Sequence, residues 1–167
     1  MKLKYMVLLP IMLLFSTFAH AGISSMSVTV EGMACPFCAF GVEKRIKKVK
    51  GVSSVDVDMR TGKAMITAEP DASIQYRDVP QAVRDAGFTP REMHISASGL
   101  LGKDENGSMV LGFENFSLSL KIDNNELKTQ LETAMKSARP VVLNGRIFQN
   151  KAKDWIFTPE TVEEPES

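Results

Sequence analysis

Cys35 and Cys38, three positions apart, are the only thiols in the 167 residues. They stand in Gly32-Met33-Ala34-Cys35-Pro36-Phe37-Cys38, after an alternating stretch that predicts a strand and before a periodic stretch that predicts a helix. Cys35 is placed on the loop and Cys38 in the first helical turn, so both sulfurs can converge on one atom. Free N–H groups and the positive end of the helix dipole favour negative charge there. That lowers a thiol pKa, and the thiolate is the form that binds metal. Two soft thiolates with no histidine or carboxylate in the motif suit an ion that accepts two ligands, Cu(I) or Hg(II). Zn(II) usually takes four ligands and would need outside donors. The same spacing also serves thiol–disulfide exchange, or a structural disulfide.

Little else in the chain offers chemistry. His20 and His94 are the only histidines, which excludes a His-rich catalytic metal cage within one chain. Met93-His94 is a candidate secondary soft site, against the more ordinary reading of His94 as a surface or core residue. The scattered methionines read chiefly as core filler. Lys44, Arg45, Lys47, Lys48 and Lys50 read as the solvated face of an amphipathic helix, with docking of an acidic partner as the alternative. Trp155 and the nearby phenylalanines read as core, with a ligand platform as the alternative. No nucleophile–base pair or cofactor loop is found, so the expected function is not enzymatic. Basic and acidic residues balance at 20 each, leaving no electrostatic footprint for nucleic acid.

The elements that must position the cysteines follow from periodicity. Residues 1–21 have Lys2 and Lys4, then an apolar run from Met6 to Phe18, then Ala19-His20-Ala21, the pattern of a signal peptide cut after Ala21. The run is shorter than the roughly 20 residues of a membrane-crossing helix. The expectation is export to a periplasm, where thiols are prone to oxidation, with no stable membrane insertion after cleavage. Met26 to Val30 alternates as a strand. Val42, Ile46 and Val49 define a helix face that Gly51 ends. Val52 to Met59 and Ala64 to Ala68 form a hairpin about Gly62, Val79 to Ala86 a second helix, and Thr89 to Ile95 a further strand. The order is βαββαβ, a ferredoxin-like α+β sandwich over 22–95.

Residues 96–158 predict a small β-rich domain. Ile95 to Leu101 can continue the previous strand, and Lys103 to Gly107 makes a hairpin loop. Met109 to Phe113 and Phe116 to Ile122 alternate. Asp123-Asn124-Asn125 caps a helix bearing Leu127, Leu131 and Met135, which Pro140 ends. Strands are expected around Asn144-Gly145 and at Trp155 to Phe157. Three strands, a helix and two strands match an OB-like barrel. Residues 159–167, rich in Glu and Pro, are expected to be a disordered acidic tail.

Met26 to Ile95 resembles the heavy-metal-associated domain of copper chaperones, metal-transport ATPase termini and periplasmic mercury-binding proteins. The resemblance rests on Gly-Met-x-Cys-x-x-Cys at 32–38, Gly51-Val52, Val55, Val57, Thr61-Gly62-Lys63-Ala64 and Asp85-Ala86-Gly87-Phe88. It implies that Cys35 and Cys38 are the metal ligands. Met33 would be a buried methionine that shapes the loop, and Phe88 a residue beside it. Pro36-Phe37 departs from the small polar residues of cytosolic copper chaperones. The implied partner is a metal transporter or a metal-requiring protein. The Gly-Met preceding the first cysteine and the βαββαβ order favour metal capture over disulfide exchange. A third reading makes the chain a metal-sensing assembly factor acting through its C-terminal half.

Overall fold

The computed structural model describes residues 21–163. The expected signal peptide lies outside the described residues apart from Ala21. Strand β1 (Gly22–Glu31) leads through the cysteine loop into helix α1 (Pro36–Ile46). Strands β2 (Val52–Asp58) and β3 (Lys63–Ala68), helix α2 (Val79–Asp85) and strand β4 (Thr89–Lys103) complete the first half. Their sheet order is β2-β3-β1-β4, every neighbour antiparallel. This is the expected ferredoxin-like arrangement.

One face of this sheet is apolar because alternate residues point the same way. Met26, Val28 and Val30 of β1, Ala64 and Ile66 of β3, and Met93, Ile95 and Ala97 of β4 are buried. Ala39, Val42 and Ile46 of α1 and Val79, Ala82 and Val83 of α2 cover them. The opposite face carries Ser25, Ser27, Met65, His94 and Ser96. Gly51, at φ +84°, makes the close approach after α1: a Cβ there would lie 2.3 Å from the Ser73 carbonyl oxygen.

The second half is built on the first. It comprises β5 (Met109–Gly112), β6 (Ser117–Leu120), α3 (Asn125–Ser137), β7 (Val141–Gln149) and β8 (Trp155–Glu163). The strands form a ring, β4-β5-β6-β8-β7, which closes because β7 also pairs with β4. All ring pairings are antiparallel except β6–β8. The expected order of three strands, a helix and two strands is present, with β4 supplying the first strand. Asn124 caps α3 by accepting the Glu126 N–H at 2.8 Å, and Leu127 and Leu131 face inward. Ala138 ends the helix in the left-handed region (φ 51°), two residues before Pro140.

Two expectations are corrected. The boundary expected at 95/96 falls inside β4, one unbroken strand. Its residues from Met93 to Ser98 pair with β1 on one side and β7 on the other. The apolar alternation of β4 runs through Met93, Ile95 and Ala97 without a break, so nothing in it marks an end. The halves accordingly share one core that reaches from Val28 and Ile46 to Leu111, Leu143 and Phe157. The second correction concerns the acidic tail. Residues 159–163 belong to β8 and pair with β7. Pro159 is buried at a bulge, where a missing N–H is tolerated. Asn144 donates to Thr161 and Glu163, and Arg146 donates to Glu160, so the acidic side chains have partners on β7. Residues 164–167 lie outside the described residues.

Aromatic rings fasten the halves together. Tyr76, ahead of α2, meets the Trp155 ring edge-on at 5.2 Å and lies 6.2 Å from Phe116. Phe116 in turn stacks on Phe113 at 4.4 Å. Trp155 is half-buried in this cluster, as its core reading expected. Among the described residues no helix is long and apolar enough to cross a membrane.

Candidate metal centre

The cysteine loop is set by its two ends. Glu31, the last residue of β1, accepts hydrogen bonds from the Arg91 guanidinium of β4. One residue earlier, the Val30 N–H donates to the Gly62 carbonyl at 2.7 Å. Gly32 then turns the chain at φ +84°, and Met33 is 8% exposed. An apolar side chain buried beneath the turn anchors a loop whose remaining residues stay at the surface.

Cys35 is the N-cap of α1, with extended backbone angles (φ −141°, ψ 151°). Pro36 follows at the first helical position, where its fixed φ suits the helix and its missing N–H costs nothing. The Cys35 carbonyl accepts the N–H groups of Cys38 and Ala39 at 3.0 and 3.1 Å. Its sulfur accepts the Cys38 N–H at 3.2 Å. The sulfur therefore occupies the place that a Ser or Asp oxygen takes in an ordinary cap. No acidic residue lies in the first turn, so the positive end of the helix is left to the sulfurs.

The Cα atoms of Cys35 and Cys38 are 5.2 Å apart, and the two sulfurs are joined in a disulfide. The sequence suggested two open thiolates. The proximity that would let both sulfurs reach one ion also lets them bond to each other. An oxidised pair has no thiolate to offer a metal, so capture requires reduction first. Both cysteines are half-buried.

Around the pair, Phe37 is 89% exposed and Phe40 is 61% exposed. Phe37 points away because Pro36 and the cap fix its turn, while Ala39 and Val42 take the buried face. Phe40 escaped the sequence reading because it falls within a helix whose apolar positions were assigned to the core. Phe88 is half-buried and packs against the core. The ion pair of Glu31 with Arg91 was also missed: 60 residues separate the partners, and only the β1–β4 pairing brings them together.

Lys44, Arg45, Lys47, Lys48 and Lys50 are exposed, as a solvated helix face requires. The structure separates Met93 from His94. Successive strand residues point to opposite faces, so Met93 is buried while His94 lies on the open face. Among the described residues no group of three or more His, Cys, Asp or Glu side chains is arranged to hold a metal.

Comparison with known proteins matches part of the first half of the chain to a known family. The family model described as the heavy-metal-associated domain matches residues 27–89. A periplasmic component of mercuric transport from Pseudomonas fluorescens is 38% identical over 68 residues, covering 41% of this chain and 74% of that protein. The copper chaperone CopZ of Bacillus subtilis is 32% identical over 62 residues, covering 37% of this chain and 88% of that protein. Among solved structures, oxidized MerP from Ralstonia metallidurans CH34 is 36% identical, with a TM-score of 0.38, over 42% of this chain and 96% of that one. The matched segment contains the second half of β1, the cysteine loop, both helices of the first half and the β2–β3 hairpin. By the family-model match and the 38% identical relative covered over 74% of its length, the chain belongs to the heavy-metal-associated domain family.

Proposed function

We propose that the chain captures a soft metal ion, Cu(I) or Hg(II), between Cys35 and Cys38 and passes it to a partner by ligand exchange. The observation that carries this reading is the placement of both sulfurs together at the exposed N-terminus of α1, with no carboxylate in its first turn. The disulfide first takes two electrons and two protons from a dithiol donor. The two thiols release their protons to solvent as the ion binds, and the thiolates hold it as a two-coordinate bis-thiolate. A partner sulfur then adds as a third ligand before one original bond breaks, so that charge is never left bare. A surface loop suits this step because its backbone can adjust as coordination number changes. Relatives named for mercuric transport and copper chaperoning support a soft ion. Zn(II) would need two donors that the loop lacks.

The proposed setting is a periplasm reached through the leader at 1–21. The proposed partner is a transporter or a metal-requiring protein, with catalysis no part of the role. The five-strand ring with α3 is proposed to be an OB-like barrel that docks the partner, which would also serve a sensing or assembly role. The test is titration of the reduced chain with Cu(I) or Hg(II), beside the Cys35→Ser/Cys38→Ser variant. One equivalent bound tightly by the parent and not by the variant is expected. Equal uptake by both would remove the proposal.

The disulfide itself favours a second reading, thiol–disulfide exchange. That reading expects Cys35 to trap a partner as a mixed disulfide when Cys38 is replaced, and activity that survives strict metal removal.

A further inference from the structure

Helix α2 and the ring border a cavity of about 390 Å³ that the cysteine site does not use. Its volume is that of a small-molecule site, about 300–1,000 Å³. Arg77, Pro80, Gln81 and Arg84 recur at helical spacing and line one side of it. Arg91 of β4 and Trp155 of β8 also line it. Among the described residues three arginines border this cavity and no carboxylate does.

The arginines differ in what holds them. Arg91 is already paired with Glu31. Arg77 donates its Nε–H to the Tyr76 hydroxyl at 3.0 Å and lies 5.5 Å from the centre of that ring. Arg84 donates its Nε–H to the Gln81 side-chain oxygen at 3.1 Å. Both acceptors are neutral, and among the described residues neither Arg77 nor Arg84 has an ion pair. A neutral acceptor on Nε orients a guanidinium and leaves its terminal nitrogens and its charge for a ligand.

Arg77 and Arg84 stand seven positions apart, about two helical turns or 10 Å. Each guanidinium therefore meets an acid group of its own. A carboxylate fits one guanidinium: it accepts two parallel N–H bonds, and its single charge is balanced by that one cation. A phosphate dianion would be only half neutralised by either arginine. The carbon chain between two acid groups has Pro80 and Trp155 to pack against.

We propose that this cavity binds a small organic dicarboxylate, with Arg77 and Arg84 each holding one carboxylate. The site is separate from the cysteine pair and needs no metal, and no covalent bond changes.

Trp155 is the only tryptophan in the chain, so its fluorescence reports on the cavity it lines. The test titrates the full, metal-free chain, with Cys35 and Cys38 joined, with glutarate at constant ionic strength. Trp155 emission and the heat of binding are followed together. A saturating one-to-one response is expected, with butyrate and inorganic phosphate at least tenfold weaker. Arg84→Gln should weaken glutarate binding at least tenfold with unchanged circular dichroism. Arg77→Lys should do the same, because an ammonium keeps the charge and loses the paired bonds. Arg60→Gln, which removes an exposed cation from the β2–β3 turn, should bind as the parent does. No saturating response to glutarate would overturn the proposal. So would butyrate or phosphate binding as tightly as glutarate, or glutarate affinity unchanged in Arg84→Gln or Arg77→Lys.

Discussion

Cys35 has two tasks that substitution can separate. Its sulfur caps α1 by accepting the Cys38 N–H, and it is the proposed ligand. Serine is a strong N-cap residue and alanine is not, a difference of about 1 kcal/mol. Under reducing conditions Cys35→Ser should therefore unfold at nearly the parent denaturant concentration, and Cys35→Ala about 1 kcal/mol earlier. Both should lose metal. Equal stability of the two variants in urea would show that the cap contributes nothing. A titrating side chain gives a second prediction at this scale. The Thr61 hydroxyl and the Arg60 backbone N–H donate to Asp58, holding its carboxyl below the usual range. Its contribution to the β2–β3 turn is then fully present above the ordinary carboxylate pKa of about 3.9 and fades as pH falls through the lower folded value. Asp58→Asn should flatten the acid limb of the stability–pH curve, and an unchanged limb would refute the assignment. The cysteine site was legible because its chemistry is local: thiols three apart, at a strand-to-helix transition, after Gly32-Met33. That Met65 and His94 flank Ser27 on the open face was not legible. Alternation fixes the face of each residue, but only the strand order places both against Ser27.

The elements show where local pattern ceases to decide. β4 carries apolar alternation past residue 95, and the sequence alone did not reveal that it would take β7 as well as β1 for a neighbour. Composition likewise marked 159–163 as tail, since charge and proline count against order when no partner is visible. The partner is β7, whose Asn144 and Arg146 receive the acids. Gly145 is the hinge of this pairing: a Cβ there would lie 2.2 Å from the Thr158 carbonyl oxygen and 2.7 Å from the Pro159 Cα. Both are backbone atoms, so β8 itself would have to shift. Gly145→Ala should cost about 1–3 kcal/mol or more, the range for overpacking. Slow amide exchange of β7 and β8 should be lost in that variant ahead of β2 and β3. Protection retained throughout β8 would contradict the close approach. Helix α3 offers a simpler check, because Leu131 is fully buried. Leu131→Ala should lower unfolding free energy by about 2–5 kcal/mol in a denaturant titration.

For the molecule as a whole, shared core and shared strand imply shared stability. Phe157 is fully buried and belongs to the same cluster as Val28 and Ile46, near the opposite end of the chain. Tyr76 adds ring contacts across the junction, each worth about 0.5–1.5 kcal/mol. The chain should therefore unfold in a single transition, with Trp155 fluorescence and far-ultraviolet dichroism coincident. Two separated transitions would show instead that the halves are independent. Burial also raises the Tyr76 phenol pKa, so its stabilising contribution holds below pH about 10 and is lost as pH rises through the higher folded value. Such coupling has a functional consequence. If the ring docks a partner as proposed, that partner meets a cysteine loop joined to the ring through the β1–β4 pairing. The central claim concerns what the loop holds. X-ray absorption at the metal edge, on the reduced chain loaded with less than one equivalent of Cu(I) or Hg(II), tests it most directly. The expected inner shell is two sulfurs and no nitrogen or oxygen, abolished in Cys35→Ser/Cys38→Ser. A shell of nitrogen and oxygen, or a sulfur shell that survives loss of both cysteines, would contradict it.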